Sequence, residues 1–258
     1  MSLASETPAS SAVVLQHRDD APGGLLIDVL ASAGFRSTTV RVDRDEPLPD
    51  PASFTLAVTL GCDDAVDDRP PGWIETELDW LRQADRAGTA VLGVGSGAQT
   101  LGLALGGGVE RAPRARHGWV WISSSIPGWI SPGPWLAWQE HVISLPPRAR
   151  LLAHNPLGPQ AYSVSRHLGV QFHPEVTPKM VCDWVTTGRA ASLDAQGVLE
   201  VTSREYAAAS ASAHRLLSIY MRSLATRPAA PLPRCPAAPL NVTSIHPSSI
   251  HPSDRNAP

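Results

Sequence analysis

The sequence predicts an α/β fold: a doubly wound, mostly parallel sheet flanked by helices. Short apolar runs of strand length alternate with longer runs of helical period through the first hundred residues. Glycines stand where the helical runs stop, at Gly34 and Gly88, the position where a left-handed residue ends a helix. The stretch Val91-Leu92-Gly93-Val94-Gly95-Ser96-Gly97-Ala98-Gln99 reads as a strand, a tight turn and a helix start.

Each element follows from its own pattern. Residues 12–15 are continuously apolar and read as a first buried strand, and residues 24–33 as an amphipathic helix. Residues 38–42 are β-branched and apolar, hence a second strand, and residues 56–60 form a third that ends at Gly61. In residues 73–87, Ile74, Leu78, Leu81 and Ala84 recur at helical spacing. Residues 90–92 and 100–105 are the strand and helix around the tight turn. This order of strands and helices at these lengths makes a sheet covered on both faces.

From residue 119 to 154 the pattern changes to short alternating runs, Val120-Trp121-Ile122 and His141-Val142-Ile143, broken by Pro and Gly. That predicts antiparallel strands and loops. Residues 181–184 and 205–224 read as helical, the second with Leu216, Leu217 and Tyr220 on one face. Past Thr226 prolines recur without an apolar period. The expected organisation is a flexible N-terminus over residues 1–11, one domain over 12–225, and a Pro-rich disordered tail over 226–258. The repeated Ile-His-Pro-Ser around His246 and His251 reads as drift in that tail and receives no function.

Composition removes several function classes. A net charge of −3 leaves no electrostatic footprint for nucleic acid or an anionic membrane. Lys179 is the sole lysine, a bias that fits a GC-rich genome and not a binding surface. Three cysteines, Cys62, Cys182 and Cys235, lack the spacing of a disulfide framework or a zinc site, so neither metal nor cofactor is expected. With no basic-then-apolar leader and no run near the roughly 18 apolar residues of a membrane helix, a cytoplasmic chain is expected.

Two motifs carry the chemistry. The tight turn has the form of a nucleophile elbow, yet its apex is Gly95, which supplies no attacking atom. The second motif is Gly169-Val170-Gln171-Phe172-His173-Pro174-Glu175-Val176, where a histidine stands two residues before a glutamate. Together they resemble the class I glutamine amidotransferases, whose elbow reads Gly-Ile/Val-Cys-x-Gly-x-Gln and whose second motif reads Gln-Phe-His-Pro-Glu. The resemblance covers roughly residues 12–224 and includes Leu15-Gln16-His17, Ala104-Leu105-Gly106-Gly107 and Leu145-Pro146-Pro147.

That resemblance implies a flavodoxin-like core and a site at the elbow. Aligned without gaps, Gly93, Gly97 and Gln99 fall on the family's glycines and glutamine, while its cysteine falls on Gly95. His173 then corresponds to the base and Glu175 to its orienting carboxylate. Ser96 lies one residue past the apex, where its side chain is expected to point away from His173. Cys62 follows Gly61 at the end of a strand, where the family has a turn near the oxyanion hole, so it is either a displaced nucleophile or a small buried thiol.

Other departures gather around the same pocket. Gln139 and His141 fall in Trp138-Gln139-Glu140-His141, where many members have Trp-His-Gly-Asp, and Arg116 stands where an acidic residue is common. Gly61, Cys62, Ser96, Gln99 and Gln139 are the expected ligand-binding positions. The eight tryptophans could line a pocket, although aromatic core packing is their default role.

The expected function is that of an amidotransferase-like protein that has lost glutamine hydrolysis and binds or regulates without catalysis. The alternative is an enzyme of altered chemistry using His173 and Glu175, with Cys62 as nucleophile. A small-molecule ligand is the expected partner. Any ammonia-channelling role requires a separate synthetase-type protein chain.

Overall fold

The computed structural model describes residues 10–62, 71–187 and 194–225. The expected disordered tail, Cys235 and the histidine duplication lie outside these residues, as does most of the expected flexible N-terminus.

The first strand, β1 (Ser11–Gln16), is followed by α1 (Leu25–Ser32), β2 (Arg36–Arg41) and β3 (Leu56–Thr59). Helix α2 (Ile74–Ala87) ends at left-handed Gly88 and leads into β4 (Ala90–Val94) and α3 (Ser96–Ala104). Two long strands, β5 (Gly108–Val120) and β7 (Trp135–Ser144), pair antiparallel as a separate ribbon, with the short β6 (Ser123–Ser124) between them in sequence. Strands β8 (Arg150–Asn155), β9 (Gly158–Val164) and β10 (His167–Val170) precede α4 (Pro178–Thr186) and α5 (Ala195–Ala225).

The main sheet has the order β2-β1-β3-β4-β10-β9-β8-β6. Its first five strands are parallel and the last three run antiparallel, giving the mostly parallel sheet that the alternating pattern predicts. Period-two alternation divides the core between the two faces. Val14, Val58 and Leu92 pack with Leu26 and Leu30 of α1 and Leu216, Leu217 and Tyr220 of α5. Val13, Leu15, Ala57 and Val91 face Leu78 and Leu81 of α2 and Leu101 of α3.

The differences from the sequence reading lie after α3. Val120-Trp121-Ile122 is not a strand: β5 ends at Val120, and the ribbon runs back through the polar stretch 108–118. Strand pairing with β7 holds that stretch extended although its own residues are largely exposed. Helix α5 starts at Ala195, ten residues before the predicted start, because Val198 packs with Trp119 and Trp138 in a cluster that the interrupting Gly197 hides from a periodicity reading. No helix among the described residues is long and apolar enough to cross a membrane.

Candidate functional site at the β4–α3 turn

The site forms where β4, β3 and β10 end side by side, at the C-terminal edge of the parallel strands. Gly95 is the turn residue, with φ 57° and ψ −124°, and its N–H donates to Val170 O at 2.9 Å. That backbone conformation strains a residue with a side chain and suits glycine. Neighbouring backbones then pack without room for side chains. A Cβ on Gly97 would overlap Thr59 O, and one on Gly61 would overlap Gly97 N and stand 2.7 Å from Ser96 Oγ. The Gly61 turn and the first turn of α3 are thus in direct backbone contact.

Beneath this contact lies a buried polar chain. Glu77 accepts from Thr59 Oγ1 at 2.7 Å and from His17 Nε2 at 2.6 Å, with the His17 and Glu77 side chains almost fully enclosed. It fixes the end of β3, and with it the start of the Gly61 turn.

His173 follows β10 and is held by its N–H donating to Leu136 O at 2.9 Å. Its Nδ1 lies 2.7 Å from Glu175 Oε1. A carboxylate only accepts, so Nδ1 carries a proton and Nε2 is the ring nitrogen turned toward Gly95. Glu175 is itself anchored: its carbonyl accepts from Leu25 N at 2.9 Å at the start of α1, and Gly24 leaves no space for a Cβ against it. Its second carboxylate oxygen, Oε2, is buried with no hydrogen-bond partner among the described residues. Trp184 meets the His173 ring edge-on at 5.0 Å and donates its indole N–H to Asp20 O.

The decisive distance is at the apex. A Cβ built on Gly95 would stand 2.6 Å from His173 Cε1 and 2.9 Å from Nε2. The imidazole therefore fills the space in which any side chain at residue 95 would start. What remains of the cavity offers about 20 Å³ to the centre of a water molecule, room for one or two waters.

Gly61, Cys62, Ser96, His173 and Glu175 all line this cavity, so five of the sequence-selected residues meet in one place. Ser96 was expected to point away from His173; it lines the same cavity, though no hydrogen bond joins the two. Gln99 and Gln139 do not line it. They belong to a buried amide chain in which Gln99 Nε2 donates to Gln171 Oε1 at 3.0 Å, Gln139 Nε2 to His141 O at 2.9 Å, and Gln160 Nε2 to Gln139 Oε1 at 3.2 Å. Arg18, Trp138 and Trp184 line the cavity and were not selected as site residues. The Trp138-to-His141 departure was the only sequence signal near them, and nothing local marks Arg18 or Trp184.

Comparison with known proteins agrees with this fold. The crystal structure of a glutamine amidotransferase from Thermotoga maritima superposes with a TM-score of 0.74 at 19% identity, covering 83% of this chain and 99% of the other. A glutamine amido transferase from Methylobacillus flagellatus gives a TM-score of 0.74 at 24% identity, covering 84% and 95%. At such identities these likenesses establish the fold.

In sequence, the GMP synthase [glutamine-hydrolyzing] of Thermus thermophilus is 31% identical over 178 residues, 64% of this chain and 27% of that protein. The protein of the same name from Gloeobacter violaceus is 39% identical over 98 residues, 34% and 18%. The chain thus spans about a quarter or less of these relatives. The family model for Glutamine amidotransferase class-I matches residues 24–181, more than half of the chain and the whole of the elbow and His-Pro-Glu turn. This chain belongs to the class I glutamine amidotransferase family.

Proposed function

We propose that the protein has lost glutamine hydrolysis and acts as a non-catalytic binding or regulatory member of its family. The observation that carries this reading is the 2.6 Å between the Cβ site of Gly95 and His173 Cε1. An amidase of this kind needs a thiolate on the turn, a base beside it, and backbone N–H groups for the oxyanion. Here the turn and base are present, but the base occupies the room of the missing group. The cavity of about 20 Å³ is also far below the several hundred Å³ typical of ligand pockets. His173 and Glu175 remain as a polar pair that ties the β10 end to α1 and α4.

The test is ammonia release from glutamine by the purified chain. Loss of a nucleophile from such a unit lowers turnover by roughly 10⁶-fold, so release should equal the enzyme-free control. Robust release that His173→Ala abolishes would overturn the proposal.

One observation favours a second reading: Cys62 and His173 line the same cavity. If Cys62 serves as a displaced nucleophile paired with His173, its thiolate fraction is raised and iodoacetamide reaches it faster than exposed Cys182, with His173→Ala slowing the reaction. An inert Cys62 is the outcome the first reading requires. In the second reading, any ammonia released would pass to a synthetase-type partner. We place the protein in the cytoplasm, in keeping with Cys62 and Cys182 forming no disulfide among the described residues.

A further inference from the structure

A second, much larger cavity lies outside the elbow and shares none of its lining residues. It is an open cleft of about 440 Å³ between β5 and the start of α5, a size that suits a small-molecule site. Arg116, His117, Trp119 and Trp121 line one side, and Asp194 and Arg204 the other. We propose that this cleft binds a planar aromatic ligand carrying one anionic group, either the phosphate of a nucleoside monophosphate or the carboxylate of an aromatic acid.

Three observations select that chemistry. The first is Trp121, 59% exposed and the only large hydrophobic side chain so exposed among the described residues. It stands beside Gly133, whose lack of a side chain at φ 140° leaves that edge of the indole uncovered. An uncovered indole is a stacking platform.

The second is Arg116, whose exposed guanidinium makes no hydrogen bond or ion pair with another described residue. Arg41, Arg44, Arg82 and Arg111, by contrast, each lean on a carboxylate. The register shift between Arg111 and Arg116 re-aims this stretch of β5, a device that recurs beside binding sites. Arg116 leaves a planar, five-donor group for an anion.

The third is that the walls are braced against one another. Trp119 Nε1 donates to Thr202 Oγ1 at 2.9 Å, which ties β5 to α5. Asp194 accepts from Gly197 N at 3.0 Å, which caps the amino end of α5 and fixes this carboxylate on the wall across from Arg116. The opposed charges of Arg116 and Asp194 suit a ligand with an acidic group and a hydrogen-bond donor at its two ends.

The test is calorimetric titration of the full chain with AMP and with indole-3-acetate, inorganic phosphate serving as the control. Saturable binding of either aromatic anion, with no comparable binding of phosphate, is the expected result; which of the two saturates identifies the anion. Arg116→Glu should weaken that binding about tenfold or more, and Trp121→Ala about tenfold, while both melt like the parent because their side chains are exposed. The proposal is overturned if neither aromatic anion saturates, if phosphate binds as tightly, or if Arg116→Glu binds as the parent does.

Discussion

Gly95→Cys is the perturbation that tests the elbow most directly. It restores the atom the family uses, in a place where the structure leaves no room for it. Two penalties follow from the geometry. A side chain at φ 57° and ψ −124° holds a sparsely populated backbone conformation, worth about 1–3 kcal/mol. The new Cβ also starts 2.6 Å from His173 Cε1, whereas non-bonded carbons rest at about 3.5–4.0 Å, so the ring must retreat by about 1 Å. Retreat strains the 2.7 Å bond to Glu175, and a hydrogen bond to a charged group contributes about 1.5–3 kcal/mol. Together these give a destabilisation of about 3 kcal/mol, or a fall in Tm of about 6–12 °C for a domain of this size. Thermal unfolding followed by circular dichroism measures it. Glutamine hydrolysis by the variant should recover weakly at most. In a His173→Ala background the clash disappears, so Gly95→Cys should cost less there than in the parent, a non-additivity the double-mutant cycle reads directly. A Gly95→Cys protein that melts like the parent and hydrolyses glutamine at a full family rate would refute the claim that His173 blocks the apex.

Other outcomes test the packing around it. Gly97→Ala places a Cβ on the backbone carbonyl of Thr59, which cannot swing away, so a loss of about 3 kcal/mol or failure to fold is expected, read as the urea midpoint or soluble yield. Gln171→Leu removes the nearer of the two acceptors of Gln99 Nε2, leaving His141 O at 3.4 Å, and should destabilise by about 1–3 kcal/mol; an unchanged midpoint would show that His141 O suffices. His167 supplies a pH dependence: its Nδ1 accepts from Val91 N at 3.1 Å, and burial holds its pKa below the ordinary value of about 6.5, outweighing the pull of Asp85. The unfolded chain therefore binds the proton first, and stability present above about pH 6.5 is lost as the pH falls from there toward the folded pKa. Urea midpoints at neutral and mildly acidic pH should differ in that direction, and His167→Gln should flatten the difference.

The sequence by itself determined the parallel half of the sheet and the location of the candidate site. Residues 12–15, 56–59 and 90–94 are strands because period-two burial on both faces demands continuous apolar runs, a local pattern visible without coordinates. Gly95, His173 and Glu175 were legible for a related reason, since an elbow and a His-Pro-Glu turn are contiguous motifs. Gly108–Val120 was less legible, because its own residues are polar and only pairing with β7 makes it a strand. The placement of Gln99 and Gln139 is a tertiary result as well. An amide reads the same whether it faces a ligand or another buried amide, and only the packing of α3 against the ribbon and β9 puts these two in a closed chain. The same limit hid Trp184 and Arg18, which reach the cavity from segments far apart in the chain. That the apex lacks a thiol is written in one letter of the sequence. That His173 stands in the thiol's place is a distance between residues 95 and 173, and a distance of that kind exists only after the chain has folded.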